Sequence, residues 1–194
     1  MQTGSDYQQK AEAKYEIAYK TPEYYRISAG LQQTQEVLET LKFKSVLDVG
    51  CGPGYSVLKF LKNGKEVIGT EVCKYLYRTA LIAFMNNDLI VPARIQNLPF
   101  DADTYDLVYC TDVLEHIPEQ DIDISIKELV RVAKKYVYVS VSTVPAAFHP
   151  ELGLHETVKP KEWWYAFFNK YRLKEVKSLA KEAKNGFAKC YKKF

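Results

Sequence analysis

The chain has 194 residues, 47% hydrophobic and 26% charged, enough for one globular domain with a full core and too few for two comfortable ones. No run of about 18 apolar residues is present to cross a membrane, and Met-Gln-Thr-Gly-Ser-Asp at the start lacks the basic and apolar regions of a signal peptide. The formal charge of +3 is uneven: Lys170 to Phe194 holds nine Lys/Arg and two Glu, a local +7 that leaves −4 elsewhere. That basic end reads either as an attraction for phosphate or nucleic acid or as a solvated face whose lysines guard an edge strand, and the second reading is favoured. Cysteines at 51, 73, 110 and 190 show no metal-ligand spacing, so a reduced, cytoplasmic setting is expected.

In chain order, residues 8–19 read as a charged, tyrosine-bearing helix broken near Thr21-Pro22, and 31–42 as a helix with Leu31, Val37, Leu38 and Leu41 on its apolar face. Ser45 to Val49, apolar and rich in β-branched residues, reads as a buried parallel strand. It runs into a turn with glycine at 50, 52 and 54, followed by a helix from Tyr55 to about Asn63-Gly64. Lys65 to Glu71 is a second strand and 73–85 its helix, with Tyr75, Leu76, Ala80, Leu81 and Phe84 inward. Leu89 to Ile95, Asp106 to Cys110 and Val137 to Val141 read as strands three to five, with a helix over 121–133 between the last two.

Ser142 to Lys159 has little regular pattern, and a connection of that length is expected to hang over a site. Pro160 marks a helix start, whose stripe of Trp163, Trp164, Phe167, Phe168 and Tyr171 reads as core. Segments 172–180 and 186–194 are two final strands, the last antiparallel. Alternating strands and helices predict an α/β fold: a doubly wound, mostly parallel seven-stranded sheet with helices on both faces, and ligands beyond the carboxyl ends of the strands.

Strand, glycine turn and helix form the local geometry of a nucleotide-type site. The dinucleotide fingerprint G-x-G-x-x-G fails here because its third position is Tyr55. The pattern is instead Asp48-x-Gly50-x-Gly52-x-Gly54, and a carboxylate two residues before the first glycine suits a ligand carrying an ammonium or sulfonium charge. The segment resembles motif I of the class I S-adenosylmethionine-dependent methyltransferases. The resemblance implies a Rossmann-like fold with S-adenosyl-L-methionine held by Asp48, Gly50, Cys51, Gly52 and Gly54. Glu71, 21 residues after Gly50, closes strand two with Val72 beside it, where a carboxylate can accept two hydrogen bonds from a ribose diol.

Gln96-Asn97-Leu98-Pro99-Phe100, followed by Tyr105-Asp106-Leu-Val, resembles the corresponding segment of small-molecule methyltransferases of the UbiE-like kind. The resemblance implies that Gln96, Asn97 and Leu98 lie against the adenine. Arg94 stands where the family commonly has an acid, which leaves that contact to backbone or to Gln96. It also implies that backbone around Cys110 and Thr111, with the Asp112 side chain, edges the methionine end and the reaction pocket. The residues that mark exocyclic-amine and cytosine-C5 nucleic-acid methyltransferases are absent, and Cys110 reads as an inert thiol.

Residues 1–30 are expected to form a lid, with Tyr15 against the cofactor and Tyr19, Tyr24, Tyr25 and Arg26 nearby. Histidine is the side chain most easily poised as a general base. His155 in the 142–159 loop is the leading candidate, His149 the next, and His116 a wall of the pocket. No metal is expected. The segment Leu154 to Trp164 resembles small methyltransferases of surface-glycan assembly, and ranks a small polar acceptor, an oxygen of a sugar or related metabolite, first. A nucleic acid drawn by the basic C-terminus ranks second, and a non-catalytic cofactor-binding module third.

Overall fold

The computed structural model describes residues 4–26, 30–79 and 88–194, and side chains within them outside 4–11 and 77–79. Helices α1 (Gly4–Tyr19), α2 (Pro22–Arg26) and α3 (Leu31–Thr40) precede strand β1 (Ser45–Val49). Then come α4 (Tyr55–Lys62), β2 (Glu66–Glu71), α5 (Lys74–Thr79), β3 (Ile90–Pro92) and β4 (Tyr105–Thr111). Helix α6 (Ile122–Val132), β5 (Ala133–Ser142), α7 (Lys161–Phe168), β6 (Leu173–Glu175), β7 (Lys181–Ala183) and β8 (Gly186–Lys193) complete the order. Ala80, Leu81 and Phe84, expected on the helix after strand two, lie outside the described residues.

The sheet runs β3-β2-β1-β4-β5-β8-β6, with β7 also on β8. β1 to β5 are mutually parallel, and β8 is antiparallel to β5, β6 and β7. Eight strands therefore replace the expected seven. The segment read as one strand over 172–180 is split by a turn at Lys177–Leu179, where Leu179 is buried in the same cluster as Val37. β3 is shorter than expected because Ala93 returns its N–H to Glu71 and Arg94–Asn97 closes into a tight turn. β5 is longer, because α6 runs straight into it and Ala133 pairs with Tyr105 across a bulge.

Residues alternate between the two faces of each strand. Leu47, Val49, Val108, Cys110, Val137 and Val139 pack on Ile126 and Leu129 of α6 and on Trp164 and Phe168 of α7. Val46, Leu107, Tyr109 and Tyr138 pack on Val37 of α3, Phe60 of α4 and Leu76 of α5. The aromatic stripe of α7 is core as expected, Phe168 stacking on Tyr191 with ring centroids 4.9 Å apart. With helices on both faces, the sheet's polar business is confined to the strand ends. Among the described residues no helix is long and apolar enough to cross a membrane.

Candidate active site

From β1 the chain steps outward through β2 to β3, then returns to place β4 on the opposite side of β1. This reversal opens a crevice beyond the carboxyl ends of β1 and β4, the usual ligand position in open α/β sheets. The cleft there has two lobes meeting at Gly50, Asp112 and His116 beneath Tyr19 and Tyr24. One lobe, of about 180 Å³, lies between the glycine turn and residues 146–148 and 154–155. The other, of about 120 Å³, lies between Glu71-Val72 and Ile95-Gln96 and is flanked by Tyr15.

The turn between β1 and α4 forms because Gly50 and Cys51 both donate N–H to the Thr70 carbonyl at 2.9 Å. Gly50, Gly52 and Gly54 all take positive φ, at 71°, 52° and 85°, a region that side chains disfavour. A Cβ on Gly50 would stand 2.4 Å from Val113, and one on Gly52 would meet the Tyr19 hydroxyl at 3.0 Å. The missing side chains are what leave the first lobe open over the turn.

Asp48 is buried at 2% exposure, and its Oδ2 has no hydrogen-bond partner. Burial, with Glu71 adding to it, pushes the Asp48 carboxyl up to about 8. A carboxylate oxygen left unpaired beside an opening is costly without a cation or donor, so the residues present fit a positively charged ligand. Glu71 is buried and clamps the turn: Oε1 accepts N–H from Val72 (2.7 Å) and Cys73 (2.8 Å), and Oε2 accepts N–H from Gly52 (2.9 Å). Burial raises its pKa and these three donors oppose the rise. The carboxylate therefore holds the turn to β2 from within the cleft wall.

Asp112 leaves β4 at φ 52° and lines both lobes, and its Oδ1 accepts the Ser140 hydroxyl at 3.1 Å. Burial raises its pKa, opposed by Ser140 and His155. The next turn, Leu114–His116, places His116 on the cleft wall. His116 Nδ1 donates to the Leu154 carbonyl at 2.9 Å, and burial holds the ring neutral with its pKa down at about 3. His155 Nδ1 donates to the Val144 carbonyl at 2.6 Å. The two rings meet edge to face at 4.7 Å, with both Nε2 atoms left as acceptors.

Gly50, Cys51, Gly52, Thr111, Asp48, Asp112 and His155 line the first lobe, and Tyr15, Glu71, Val72 and Gln96 the second. Gly54, Asn97, Leu98, Cys110 and His149 line neither. Gly54 caps α4 in the left-handed conformation. Asn97 is exposed at the tight turn, while Leu98 is buried, its N–H on Glu128 and its carbonyl on Arg131. Cys110 is fully buried, and burial raises its thiol well above the usual range, as an inert thiol requires. His149 donates Nδ1–H to Glu151 (3.0 Å) and accepts the Thr21 hydroxyl at Nε2 (2.8 Å), which ties the loop to the α1–α2 corner and leaves neither nitrogen for chemistry. Arg26 is exposed and lines neither lobe.

Gly30 lines the first lobe and was not foreseen: a Cβ there would strike Thr111 Oγ1 at 2.3 Å, and nothing in Ala-Gly-Leu announces that contact. Glu115 was also missed. It is fully buried with Oε1 on the Ser142 N–H (2.7 Å) and Oε2 without a partner, although a charged residue beside His116 in the sequence gave a signal.

A family model described as a methyltransferase domain matches residues 47–141. The ubiquinone biosynthesis O-methyltransferase of Coxiella burnetii (strain Dugway 5J108-111) is 34% identical over 83 residues, 41% of this chain and 36% of that protein, so this chain spans about a third of the curated relatives it matches. A protein of Pyrococcus horikoshii OT3 superposes with a TM-score of 0.65 at 17% identity, covering 90% of this chain and 100% of the other. An S-adenosylmethionine-dependent methyltransferase from Aquifex aeolicus does so with a TM-score of 0.62 at 17% identity, covering 94% and 97%. The match over residues 47–141, the fold and the glycine turn with its buried acid together support a class I S-adenosylmethionine-dependent methyltransferase.

Proposed function

We propose that the chain transfers a methyl group from S-adenosylmethionine to a hydroxyl oxygen of a small polar acceptor, a sugar or related metabolite. The observation that carries this reading is the two-lobed cleft. The lobe flanked by Glu71 and Gln96 suits a nucleoside, and the lobe roofed by Ala146, Ala147 and Phe148 leaves room for a small molecule beside Asp112 and His155. The name of the Coxiella relative, an O-methyltransferase, supports an oxygen acceptor.

When bound, the cofactor supplies an electrophilic methyl group on a sulfonium. Asp48 offers the buried negative charge that holds its cationic end, and Glu71 and Gln96 orient the nucleoside. Tyr15, Tyr19 and Tyr24 exclude water from above. Such orientation in a dry site is worth up to ~7–11 kcal/mol. A hydroxyl acceptor must also lose its proton, and His155 Nε2 is an acceptor placed in the first lobe for that purpose. General-base help of this kind contributes roughly 10²–10⁴-fold.

The nucleic-acid alternative has less support. The residues lining the cleft all precede residue 156, and four of the eight C-terminal lysines are ion-paired: Lys170 with Asp123, Lys181 with Glu36, Lys189 with Glu175 and Lys193 with Asp103. The test is incubation with methyl-labelled cofactor and, separately, a small polar metabolite fraction and total RNA. Label in a hydroxyl-bearing small molecule is expected. Label in RNA alone overturns the acceptor, and label in neither favours a binding module.

A further inference from the structure

We infer that Glu115 Oε2, His116 Nε2 and His155 Nε2 form a binding site for a divalent transition-metal ion of the zinc type, open on its fourth side to the first lobe of the cleft. The inference rests on the reading that an acceptor hydroxyl enters this lobe, and it gives that hydroxyl a place to bind.

Three independent features converge. The three residues each offer a ligand atom, all lying within 4.8 Å of one another, a spread that one ion can bridge. Glu115 is fully buried and Oε2 has no hydrogen-bond partner, while Oε1 is fixed by the Ser142 N–H at 2.7 Å. An unpaired carboxyl oxygen in the interior is costly, an ion held there would supply its missing partner, and no cationic side chain is paired with it among the described residues. Finally, both imidazoles donate Nδ1–H to backbone carbonyls, His116 to Leu154 (2.9 Å) and His155 to Val144 (2.6 Å). This is the outer-shell arrangement that fixes the tautomer of a metal-bound histidine and bares Nε2 for the ion.

The chain builds the site deliberately. The Glu115 carbonyl accepts N–H from both Glu156 (2.8 Å) and Thr157 (2.9 Å), and the Thr157 hydroxyl donates to the Ile117 carbonyl (2.6 Å). The 154–157 segment is thereby laced to the Leu114–His116 turn, and His155 is delivered to neighbours 39 and 40 residues earlier in the chain. Two imidazoles and one carboxylate favour zinc or a neighbouring first-row ion over magnesium or calcium, and three protein ligands leave the open position of a catalytic rather than a structural site. His116 and His155 line the first lobe. With the ion bound, His155 Nε2 would be its ligand instead of the general base, and a hydroxyl taking the open position would be acidified by the ion acting as a Lewis acid and lose its proton to solvent. No metal was expected from the sequence because the ligands come from two distant segments without a spacing motif.

The test uses the full chain freed of metal by chelation and dialysis. Zn²⁺ is titrated by calorimetry and Co²⁺ by its visible absorption, and S-adenosylmethionine binding is measured on the same sample. One ion per chain is expected, with a Co²⁺ spectrum free of the thiolate charge-transfer band that any of the four cysteines would add. His155→Ala and Glu115→Gln should each weaken binding by more than about 100-fold, beyond the 10–100-fold typical of losing an outer-shell partner. His149→Ala should bind as the wild type does. Circular dichroism identifies a variant that has failed to fold, and His155, half-buried in a loop, is the variant that tolerates loss. Metal binding unchanged in both ligand variants, or a thiolate band, overturns the site. So does a wild type that binds S-adenosylmethionine but no metal, which leaves the methyltransferase reading standing. Metal bound with the expected ligand dependence by a protein that ignores S-adenosylmethionine upholds the site and contradicts that reading.

Discussion

Two residues carry most of the weight at the cofactor end, and each makes a separate prediction. Asp48 sits unpaired in the interior with its carboxyl pushed up to about 8. A cationic ligand favours its ionised form, so binding should expel a proton below that pH and tighten as pH rises from 6 to 8. Calorimetry near pH 6.5 in buffers of different ionisation enthalpy should give buffer-dependent heats that vanish in Asp48→Asn; equal heats in every buffer would contradict this. Gly52 holds φ 52° beneath the Tyr19 hydroxyl. A β-branched side chain there costs ~1–3 kcal/mol in backbone strain alone and also fills the cleft. Gly52→Val should therefore bind the cofactor at least ~100-fold more weakly, with an unchanged far-ultraviolet spectrum. Asp48 and the three glycines were readable from the sequence because a turn of this kind is local and its spacing is diagnostic. Glu115 was not, since its burial depends on β5 and the 154–157 segment, both far away in the chain.

Among the elements, the 142–159 connection has the largest part in function. It is pinned at one end by His149 on Thr21 and at the other by the Glu115 carbonyl. His155→Ala should lower turnover by roughly 10²–10⁴-fold while S-adenosylmethionine affinity changes little, because His155 lies in the lobe away from Glu71. His149→Ala should leave turnover within a few-fold and instead speed amide exchange over 146–153, each lost hydrogen bond being worth about 1 kcal/mol. Equal losses of turnover in the two variants would put chemistry at His149. The sequence offers both histidines as candidate bases, His155 ahead of His149, because both fall in the same irregular stretch. What separates them is the partner each finds, the one on a helix corner and the other beside a buried acid. The same limit explains the strands. Those in the middle of the sheet were legible as apolar runs, whereas β3, β6 and β7 end where a tight turn or the buried Leu179 takes the backbone off the ladder.

For the whole molecule, the site is a store of buried acids, and this sets how stability responds to pH. The folded-state pKa of Asp48 lies far above the ~3.9 of an unfolded aspartate. The native state therefore binds more protons between those values, and stability declines as pH rises through them. Glu71, Asp112 and Glu115 shift in the same direction. His116, with its pKa lowered to about 3, works the other way over the same interval and lessens the fall. The lowered carboxylates Asp106, Glu128, Glu151 and Glu182 oppose it at more acidic pH. The thermal midpoint of the cofactor-free protein should fall between pH 5 and pH 8, and Asp48→Asn should flatten the fall. A midpoint rising over that interval would contradict the burial of these groups. The doubly wound architecture itself was legible because alternating strand and helix patterns leave few topologies. The division of labour between a nucleoside lobe and an acceptor lobe needed the assembled strand ends.

The most direct test of S-adenosylmethionine binding across the first crossover is the electron density of a crystal grown with S-adenosylhomocysteine. The nucleoside should fill the lobe between Glu71 and Gln96, with the amino acid end over the glycine turn toward Asp48. Density for the ligand at any other place, or a cleft closed by Tyr19 and Tyr24 with the ligand excluded, would contradict it.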